Sequence, residues 1–472
     1  MLRILAASAL FLAAHHVQAQ EEACWLASPG GGVAAKCEQV DAPLGDGSDQ
    51  VISLRVARLG ATTNNAKDDP VFFLAGGPGQ AATEAYPGLA GVFAKLNATR
   101  DVVLIDQRGT GGSAPLDCPI DEQTLALDFS SVDLAALARQ CLAGLDHDPR
   151  YFLTDHAAAD IDVVRRHFGY ETINLVGVSY GTRLAQRYAN QYPDHVRTLL
   201  LDGVVPNPLA LGTEHAINLQ RVIDRLLERC ANEPDCNAVF PDLAQTFDRL
   251  QQQVEQPLEI EVRNPKSGIN ERTSFDHATL GFVIRLLSYS TETQSLLPLL
   301  VHRAAEEGDF EPLVAQAVMI ANSLGEQISR GLELAIMCAE DVPLFSIPDG
   351  TEQSLLGTLL IEAAEEQCQA WPDVAVPADR RLPLTSDVPT MLLSGELDPV
   401  TPPSYGETVV SNLNNGRHLV VAGQGHNVLP RGCVPMLVTE FIDTGDALEL
   451  DVSCLDVMGP MPFFLTNAGP KP

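Results

Sequence analysis

Basic residues are scarce in this chain of 472 residues, where 30 Lys and Arg stand against 62 Asp and Glu, giving a formal net charge of −32. So acidic a surface would repel a phosphate backbone, and we therefore predict no nucleic-acid partner. Long apolar runs are also missing, because no segment reaches the roughly 18 uninterrupted apolar residues that a membrane-spanning helix needs. The sequence therefore predicts no membrane span.

The N-terminus has the composition of a secretory signal. The segment MLRILAASALFLAAHHVQAQ contains one Arg, then a short apolar run, and ends with the small-residue pattern Val17-Gln18-Ala19. This pattern predicts a signal peptide over residues 1–19 that is cleaved near Gln20. We therefore expect an exported protein that is either periplasmic or secreted into the medium.

Metal-binding cysteine patterns are absent as well. The ten cysteines include no C-x-x-C pair, and no His lies at zinc-finger spacing from a Cys, so metal binding by thiolates is not expected. An even number of cysteines in an exported chain is typical of disulfides. The sequence leaves their connectivity open, and our hypothesis is nearest-neighbour pairing: Cys24–Cys37, Cys118–Cys141, Cys230–Cys236, Cys338–Cys368 and Cys433–Cys454.

Strand-like and helical patterns alternate along the first half of the chain. Apolar runs lie at 51–58, 71–74, 102–106, 173–178 and 197–205, with helical patterns at 134–145 and 157–169. This alternation predicts an α/β fold with a mostly parallel central sheet and helices on both faces. Two more strand-like runs come late, at 389–400 and 417–426.

The middle of the chain has a different pattern, with successive amphipathic helices and one strand-like piece near 258–263. We interpret residues 207–385 as a helical cap inserted into the sheet domain. The core then consists of a first part, 20–206, and a second part, 386–472. The Pro-rich tail after residue 459 is expected to be a loosely held terminus.

The most specific motif is Gly177-Val178-Ser179-Tyr180-Gly181, which follows an apolar strand and leads directly into a helical pattern. In this context G-x-S-x-G is the nucleophile elbow, whose sharp turn leaves no room for side chains at the two glycines. The alternative is a Gly-rich turn with a bystander serine, which the strand–turn–helix context disfavours. We predict that Ser179 is a nucleophile.

A serine hydroxyl becomes an effective nucleophile when a base removes its proton and an acid orients that base. In the elbow architecture, the acid and the base follow the serine in chain order. Asp398 lies just past a strand in LSGELDPVTPP, where a loop acid is expected, and Glu396 is its rival. His426 lies in a Gly-flanked loop after the last strand and is the predicted base.

The glycine-rich stretch AGGPG at 75–79 ends another strand-like run. A phosphate-binding loop would need a Lys and a Ser or Thr after the final Gly, and both are missing. In the elbow architecture, a loop in this position supplies the second N–H donor of the oxyanion hole. We therefore predict a hole formed by the backbone N–H groups of Tyr180 and Gly77, with Gly76 as the alternative.

In this order, the motifs GGPG, DQRGTGGS, GVSYG, GELDPVTPP and GQGH resemble the prolyl aminopeptidase and tripeptidyl aminopeptidase branch of the α/β-hydrolases. The resemblance covers most of the mature chain, including a C-terminal segment similar to that of secreted tripeptidyl aminopeptidases. Carried over by position, it implies that Ser179, Asp398 and His426 form the catalytic triad. The family usually has His before the glycines, whereas this chain has Ala75, so only backbone donors are implied there.

The resemblance also implies that acidic side chains, often from the cap, hold the free α-amine of the substrate. A buried ammonium group needs a carboxylate partner. The candidates are Glu340 and Asp341, which lie beside Cys338, and Glu214 at the cap entrance. The chain contains many Asp and Glu residues, so the alternative interpretation is that these three are ordinary solvated carboxylates.

Together these patterns predict an exported serine peptidase that releases one to three N-terminal residues from peptides with a free N-terminus. The reaction would proceed through an acyl-enzyme and would need no metal or organic cofactor. The alternatives are a carboxylester hydrolase on the same scaffold and a catalytically inactive binding protein. The oligomeric state stays open.

Overall fold

The structure is a computed structural model that describes residues 21–28, 31–45, 47–118, 132–265, 267–325 and 327–471. The predicted signal peptide, 1–19, lies outside these residues. Within them, no helix combines the length and the apolar character that crossing a membrane requires.

Eleven strands occur in the described residues. They are β1 Glu22–Ser28, β2 Gly31–Pro43, β3 Val51–Leu59, β4 Val71–Leu74, β5 Val102–Ile105, β6 Ile173–Val178, β7 Val196–Asp202, β8 Leu258–Arg263, β9 Asn270–Phe275, β10 Thr390–Gly395 and β11 Gly416–Val421. Nine of them form one sheet in the order β1-β2-β3-β5-β4-β6-β7-β10-β11, and β8 and β9 form a separate hairpin. Neighbours from β5 to β11 are parallel, whereas β1, β2, β3 and β5 pair antiparallel. The predicted α/β fold with a mostly parallel sheet is confirmed.

Fourteen α-helices accompany the strands in the same part of the chain. They are α1 Ala82–Thr99, α2 Leu134–Gly144, α3 Thr154–His167, α4 Tyr180–Gln191, α5 His215–Asn232, α6 Pro234–Val239, α7 Leu243–Gln253, α8 His277–Leu287, α9 Thr291–His302, α10 Glu311–Gly325, α11 Arg330–Ile336, α12 Leu359–Cys368, α13 Pro403–Val410 and α14 Val434–Thr444. The central strands are buried along their whole length because helices cover both faces of the sheet.

Two apolar layers hold the sheet between helices. One layer joins Phe73 and Leu393 to side chains of α1 and α14. The opposite layer joins Phe72 and Leu201 to side chains of α3 and α4. Successive residues of a strand point to opposite faces, so Phe72 and Phe73 serve different layers. This two-sided packing fixes the ends of the strands, where the predicted site residues lie.

The helices between β7 and β10 supply most of a third apolar cluster. In α5 the buried residues Leu219, Val222, Ile223, Leu226 and Cys230 recur at helical spacing and form one apolar face. The same cluster contains residues of α7, α8, α9 and α10. We propose, as the sequence suggested, that residues 207–385 form a cap on the sheet domain.

The C-terminal tail is attached to the helices between β7 and β10, contrary to the expectation of a loose terminus. Phe463 is buried in their apolar cluster, and the Arg229 guanidinium lies 3.8 Å from the centre of its ring. Arg229 also donates a hydrogen bond to the carbonyl of Met461 at 2.6 Å. The tail was expected to be loose because its prolines and glycines form no regular element. These side-chain contacts hold it instead.

Five disulfides have the predicted nearest-neighbour pairing: Cys24–Cys37, Cys118–Cys141, Cys230–Cys236, Cys338–Cys368 and Cys433–Cys454. All ten cysteines lie in the described residues and none is free. Each bridge spans between 6 and 30 residues of sequence, and Cys24–Cys37 joins the neighbouring strands β1 and β2. The cysteines therefore act as local crosslinks.

Candidate active site

The turn between β6 and α4 has the geometry of a nucleophile elbow. Ser179 adopts φ 55° and ψ −124°, a conformation that non-glycine residues rarely adopt. A Cβ built at Gly177 would lie 2.5 Å from the carbonyl oxygen of Gly181. A side chain is therefore excluded at Gly177, and the sharp turn presents the Ser179 hydroxyl at the end of the sheet.

Ser179, His426 and Asp398 are joined by hydrogen bonds. The Nε2 atom of His426 lies 3.1 Å from Ser179 Oγ, and its Nδ1 atom lies 2.8 Å from Asp398 Oδ2. The three residues follow β6, β11 and β10, and the carboxyl ends of parallel strands meet at one edge of a sheet. The structure thus brings together the three residues that the sequence proposed as nucleophile, base and acid.

Asp398 is fully buried and accepts hydrogen bonds from the backbone N–H groups of Val400 and Thr401, both at 2.8 Å. Burial by itself would raise the pKa of this carboxyl group. The charge of His426, the hydrogen bond to His426 and the two backbone bonds outweigh burial and lower the pKa of Asp398. The carboxyl group is therefore an anion near neutral pH.

The pKa of His426 is shifted in the opposite direction, upward. Burial would lower the pKa of the imidazole, but the charge of Asp398 and the hydrogen bond to it raise that pKa. The backbone N–H of His426 donates to the carbonyl of Tyr289 at 2.8 Å, and the Tyr289 ring meets the imidazole edge-on. The ring is therefore held by a carboxylate on one side and by the α8–α9 connection on the other.

Glu396, the rival acid, is placed elsewhere. Its Oε1 atom pairs with Arg225 at 2.7 Å, and its Oε2 atom accepts the N–H of Gly423 at 2.9 Å. The side chain is about two-fifths exposed, in contrast to the fully buried Asp398. The position next to His426 Nδ1 is occupied by Asp398.

Thr401 is a site residue that sequence reasoning missed. Its Oγ1 atom lies 2.8 Å from Asp398 Oδ2 and 3.1 Å from His426 Nδ1. A signal for it exists, because a Thr three residues after an acid at a strand end favours a turn closed by side-chain hydrogen bonds. The hydroxyl group fixes the orientation of the carboxylate toward the imidazole.

The glycine-rich loop after β4 lies against the nucleophile. A Cβ built at Gly76 would stand 3.0 Å from the Cβ of Ser179, and Gly77 has a φ of 105°. Tyr180 is the first residue of α4, and the first N–H groups of a helix have no acceptor within the helix. Gly76, the alternative donor, therefore lies directly against Ser179, with Gly77 next to it in the chain, and Tyr180 follows the serine.

Two of the predicted amine-binding acids lie in internal ion pairs. Glu340 is fully buried, pairs with Arg380 at 2.9 Å and accepts hydrogen bonds from the N–H and hydroxyl of Thr154. Asp341 pairs with Arg183, also at 2.9 Å. Each carboxylate already has a buried basic partner, so neither offers a free charge to a substrate ammonium group.

Glu214 has a different environment. It is partly exposed at the start of α5, and its Oε2 atom accepts a hydrogen bond of 2.6 Å from the hydroxyl of Tyr405 in α13. Asn218 donates to the same hydroxyl at 3.0 Å. The Glu214 carboxylate is therefore oriented by a neutral donor, and its charge is not offset by an ion pair among the described residues.

A nucleophile elbow, a hydrogen-bonded Ser-His-Asp set and a mostly parallel sheet together define serine hydrolases with the α/β-hydrolase fold. The chain belongs to the alpha/beta hydrolase fold family, whose model matches residues 69–432. Its nucleophile elbow and its hydrogen-bonded Ser-His-Asp set make it a serine hydrolase.

The relatives include peptidases. The serine protease Hip1 of Mycobacterium tuberculosis is 26% identical over 470 residues, which cover 90% of this chain and 88% of that protein. The tripeptidyl aminopeptidase of Streptomyces lividans is 34% identical over 176 residues, 33% of this chain and 32% of the relative. A solved structure of a proline iminopeptidase from Mycobacterium smegmatis covers 86% of this chain and 98% of its own at 17% identity and a TM-score of 0.41.

Proposed function

We propose that this protein is an exported serine peptidase that removes N-terminal residues from peptides with a free N-terminus. The observation that carries the proposal is the unbroken hydrogen-bonded series from Ser179 through His426 to Asp398. The chain is also related over nine-tenths of its length to a protein named as a serine protease. The five disulfides support export, because such bonds persist in oxidising compartments.

In the proposed mechanism, His426 Nε2 takes the proton of Ser179 as its oxygen attacks the scissile carbonyl group. Asp398 stabilises the imidazolium that forms. The N–H groups of Tyr180 and Gly77 donate to the oxyanion of the tetrahedral intermediate. His426 then gives its proton to the leaving amine. A water molecule, deprotonated by the same imidazole, hydrolyses the acyl-enzyme and regenerates the serine.

Among the three candidate acids, we propose Glu214 as the partner of the substrate α-amine. A substrate ammonium at Glu340 or Asp341 would have to compete with an arginine that is already in place. Glu214 can accept an ammonium hydrogen bond through its free lone pairs while Tyr405 keeps the carboxylate oriented. Its place directly before α5 is consistent with recognition of the N-terminus by the proposed cap.

A panel of chromogenic peptides tests this function. The panel contains matched substrates that release one, two or three residues, each with a free and with an acetylated N-terminus, and simple p-nitrophenyl esters. We expect turnover of free peptides, loss of it on acetylation, and no activity in Ser179→Ala. Equal cleavage of acetylated peptides would contradict N-terminal recognition, and turnover of esters alone would establish a carboxylester hydrolase.

A further inference from the structure

Asp202 is a buried carboxylate at the end of β7 that the proposed mechanism does not use. It has no exposed surface, and its Oδ1 atom accepts the N–H of Val428 at 3.0 Å. Its Oδ2 atom accepts the N–H groups of Val428 and Leu429, both at 2.9 Å. The residues that donate to it lie two and three positions after His426, so this carboxylate holds the loop that carries the proposed base.

The backbone of Asp202 contacts the other reacting residue. Its carbonyl oxygen accepts the N–H of Ser179 at 2.8 Å. One residue therefore holds the nucleophile through its main chain and the histidine loop through its side chain. This arrangement fixes the separation between Ser179 and His426 from a single point at the end of the sheet.

The next residue shows how closely the histidine loop fits against β7. A Cβ built at Gly203 would lie 3.1 Å from His426 Cε1 and 2.8 Å from Asn427 Oδ1. Asn427 itself has a φ of 66°, and non-glycine residues keep such conformations only when their surroundings impose them. The Asp202 carboxylate supplies that constraint through the two N–H groups that follow Asn427.

We propose that Asp202 is a positioning residue whose ionised carboxylate keeps the loop 426–429 in the conformation that brings His426 Nε2 to Ser179 Oγ. The inference rests on the catalytic roles proposed for Ser179 and His426. It adds a second carboxylate to the site, one that acts on the backbone of the base and does not touch the substrate.

The Asp202 carboxylate gains a proton in a pH range in which enzyme activity can be measured. Burial raises its pKa to about 6, and the nearby Asp398 anion acts in the same direction. The N–H groups of Val428 and Leu429 and the charge of His426 oppose that rise. Below pH 6 the carboxyl group takes up a proton, which weakens it as an acceptor for the loop N–H groups. Acidification therefore affects His426 twice, by protonating its ring and by releasing its loop.

The variant Asp202→Asn tests this role, since it keeps the shape and removes the charge. We expect kcat on a p-nitrophenyl ester to fall about 100-fold, as a misplaced catalytic group does, with KM unchanged. The slope of log kcat/KM against pH should approach 2 below pH 6 in the wild type, because His426 is already protonated there and Asp202 takes up a second proton. In Asp202→Asn the slope should approach 1. A merely structural role would leave that slope unchanged.

A matched control is Asp101→Asn. Asp101 precedes β5 at the opposite end of the sheet and also accepts a backbone N–H, that of Ala61 at 2.9 Å. Its loss should lower the melting temperature and leave the pH slope at 2. If Asp202→Asn fails to fold, the wild-type protein alone still tests the inference. The logarithm of the rate at which a fluorophosphonate labels Ser179 should then fall with a slope of 2 against pH below pH 6.

A wild-type slope of 1, or full kcat in a folded Asp202→Asn, would overturn the inference. Because a p-nitrophenyl ester has no peptide N-terminus, the outcome for Asp202 does not depend on the proposed peptide specificity. Retained ester turnover in Ser179→Ala would instead refute the proposed triad, whatever Asp202 does.

Discussion

The backbone of Gly181, in the first turn of α4, lies directly against the carbonyl group of Leu74 at the end of β4. A Cβ built at Gly181 would stand 2.4 Å from the Leu74 oxygen and 2.6 Å from the Ala75 oxygen. Both oxygens belong to buried main chain that cannot swing aside as a flexible side chain can. The elbow and the proposed oxyanion loop therefore meet through a contact that only glycine permits.

Gly181→Ala should consequently damage both stability and activity. We expect a destabilisation of about 1–3 kcal/mol from overpacking and a fall in kcat, because the loop at Gly77 must move away from Ser179. Gly88→Ala in α1 is the control, since its Cβ would meet nothing within 4 Å. That change should stabilise the helix by about 0.5–1 kcal/mol. Thermal unfolding measures the stability of the two variants, and ester kinetics measure their kcat. A Gly181→Ala protein with unchanged kcat would contradict the expectation.

The sheet and the elbow could be predicted because local patterns specify them. A buried parallel strand is an apolar run, and a sharp turn after it demands glycines, as at Gly177. The hairpin of β1 and β2 was not predicted, since its short apolar and polar side chains form no apolar run. Helix α1 was missed because Pro87 and two glycines interrupt its helical pattern.

The environment of each acid could not be predicted, because its partners are distant in the sequence. Asp341 pairs with Arg183, which lies 158 residues earlier, and Glu340 pairs with Arg380 after α12. A sequence shows that acids are numerous but not which of them are neutralised. The role of Asp202 was hidden for the same reason, since its acceptor atoms meet N–H groups 226 and 227 residues further along.

Ser179→Ala should abolish hydrolysis while preserving the fold. The change removes only the hydroxyl, and triad members typically contribute factors of about 10⁴ or more to kcat. We expect no labelling by a fluorophosphonate and an unchanged melting temperature to within a few degrees. Turnover above about one-hundredth of the wild-type rate would rule out Ser179 as the nucleophile.

Thr401→Val should lower kcat without removing the triad. Valine keeps the shape of threonine but leaves Asp398 Oδ2 without its hydroxyl donor, so the carboxylate loses part of its orientation. We expect a loss of about 1–3 kcal/mol in transition-state stabilisation, visible in kcat/KM. Thr401→Ser restores the hydroxyl and should recover most of the activity. Equal rates for the Val and Ser variants would show that the hydroxyl group is dispensable.

Glu214→Gln should raise KM for peptides with a free N-terminus. The amide keeps the hydrogen bond with Tyr405 but removes the negative charge that the proposed amine site requires. Charge-assisted hydrogen bonds contribute about 1.5–3 kcal/mol, so KM should rise roughly 10- to 150-fold. Ester turnover should stay constant. Glu340→Gln, which would unpair the buried Arg380, should instead lower the melting temperature. An unchanged KM in Glu214→Gln would remove this residue from the amine site.

The pH profile should report the pairing of His426 with Asp398. The imidazole accepts the Ser179 proton only when it is neutral, and Asp398 raises the pKa of His426 above its usual 6.5. The acid limb of kcat/KM should therefore begin above pH 6.5, and activity should be lost as pH falls through the raised pKa. Asp398→Asn removes the charge, so the desolvation of the buried ring dominates and lowers the pKa of His426.

The acid limb of Asp398→Asn should thus shift to lower pH, while kcat falls about 10⁴-fold because the imidazole loses its orienting anion. Glu396→Gln is the matched control, since Glu396 is the other acid after β10 and pairs with Arg225. It should leave both the midpoint and kcat close to the wild type. A pH titration of ester hydrolysis by the three proteins measures these effects. An unshifted acid limb in Asp398→Asn, or a shifted one in Glu396→Gln, would show that Asp398 is not the acid that orients His426.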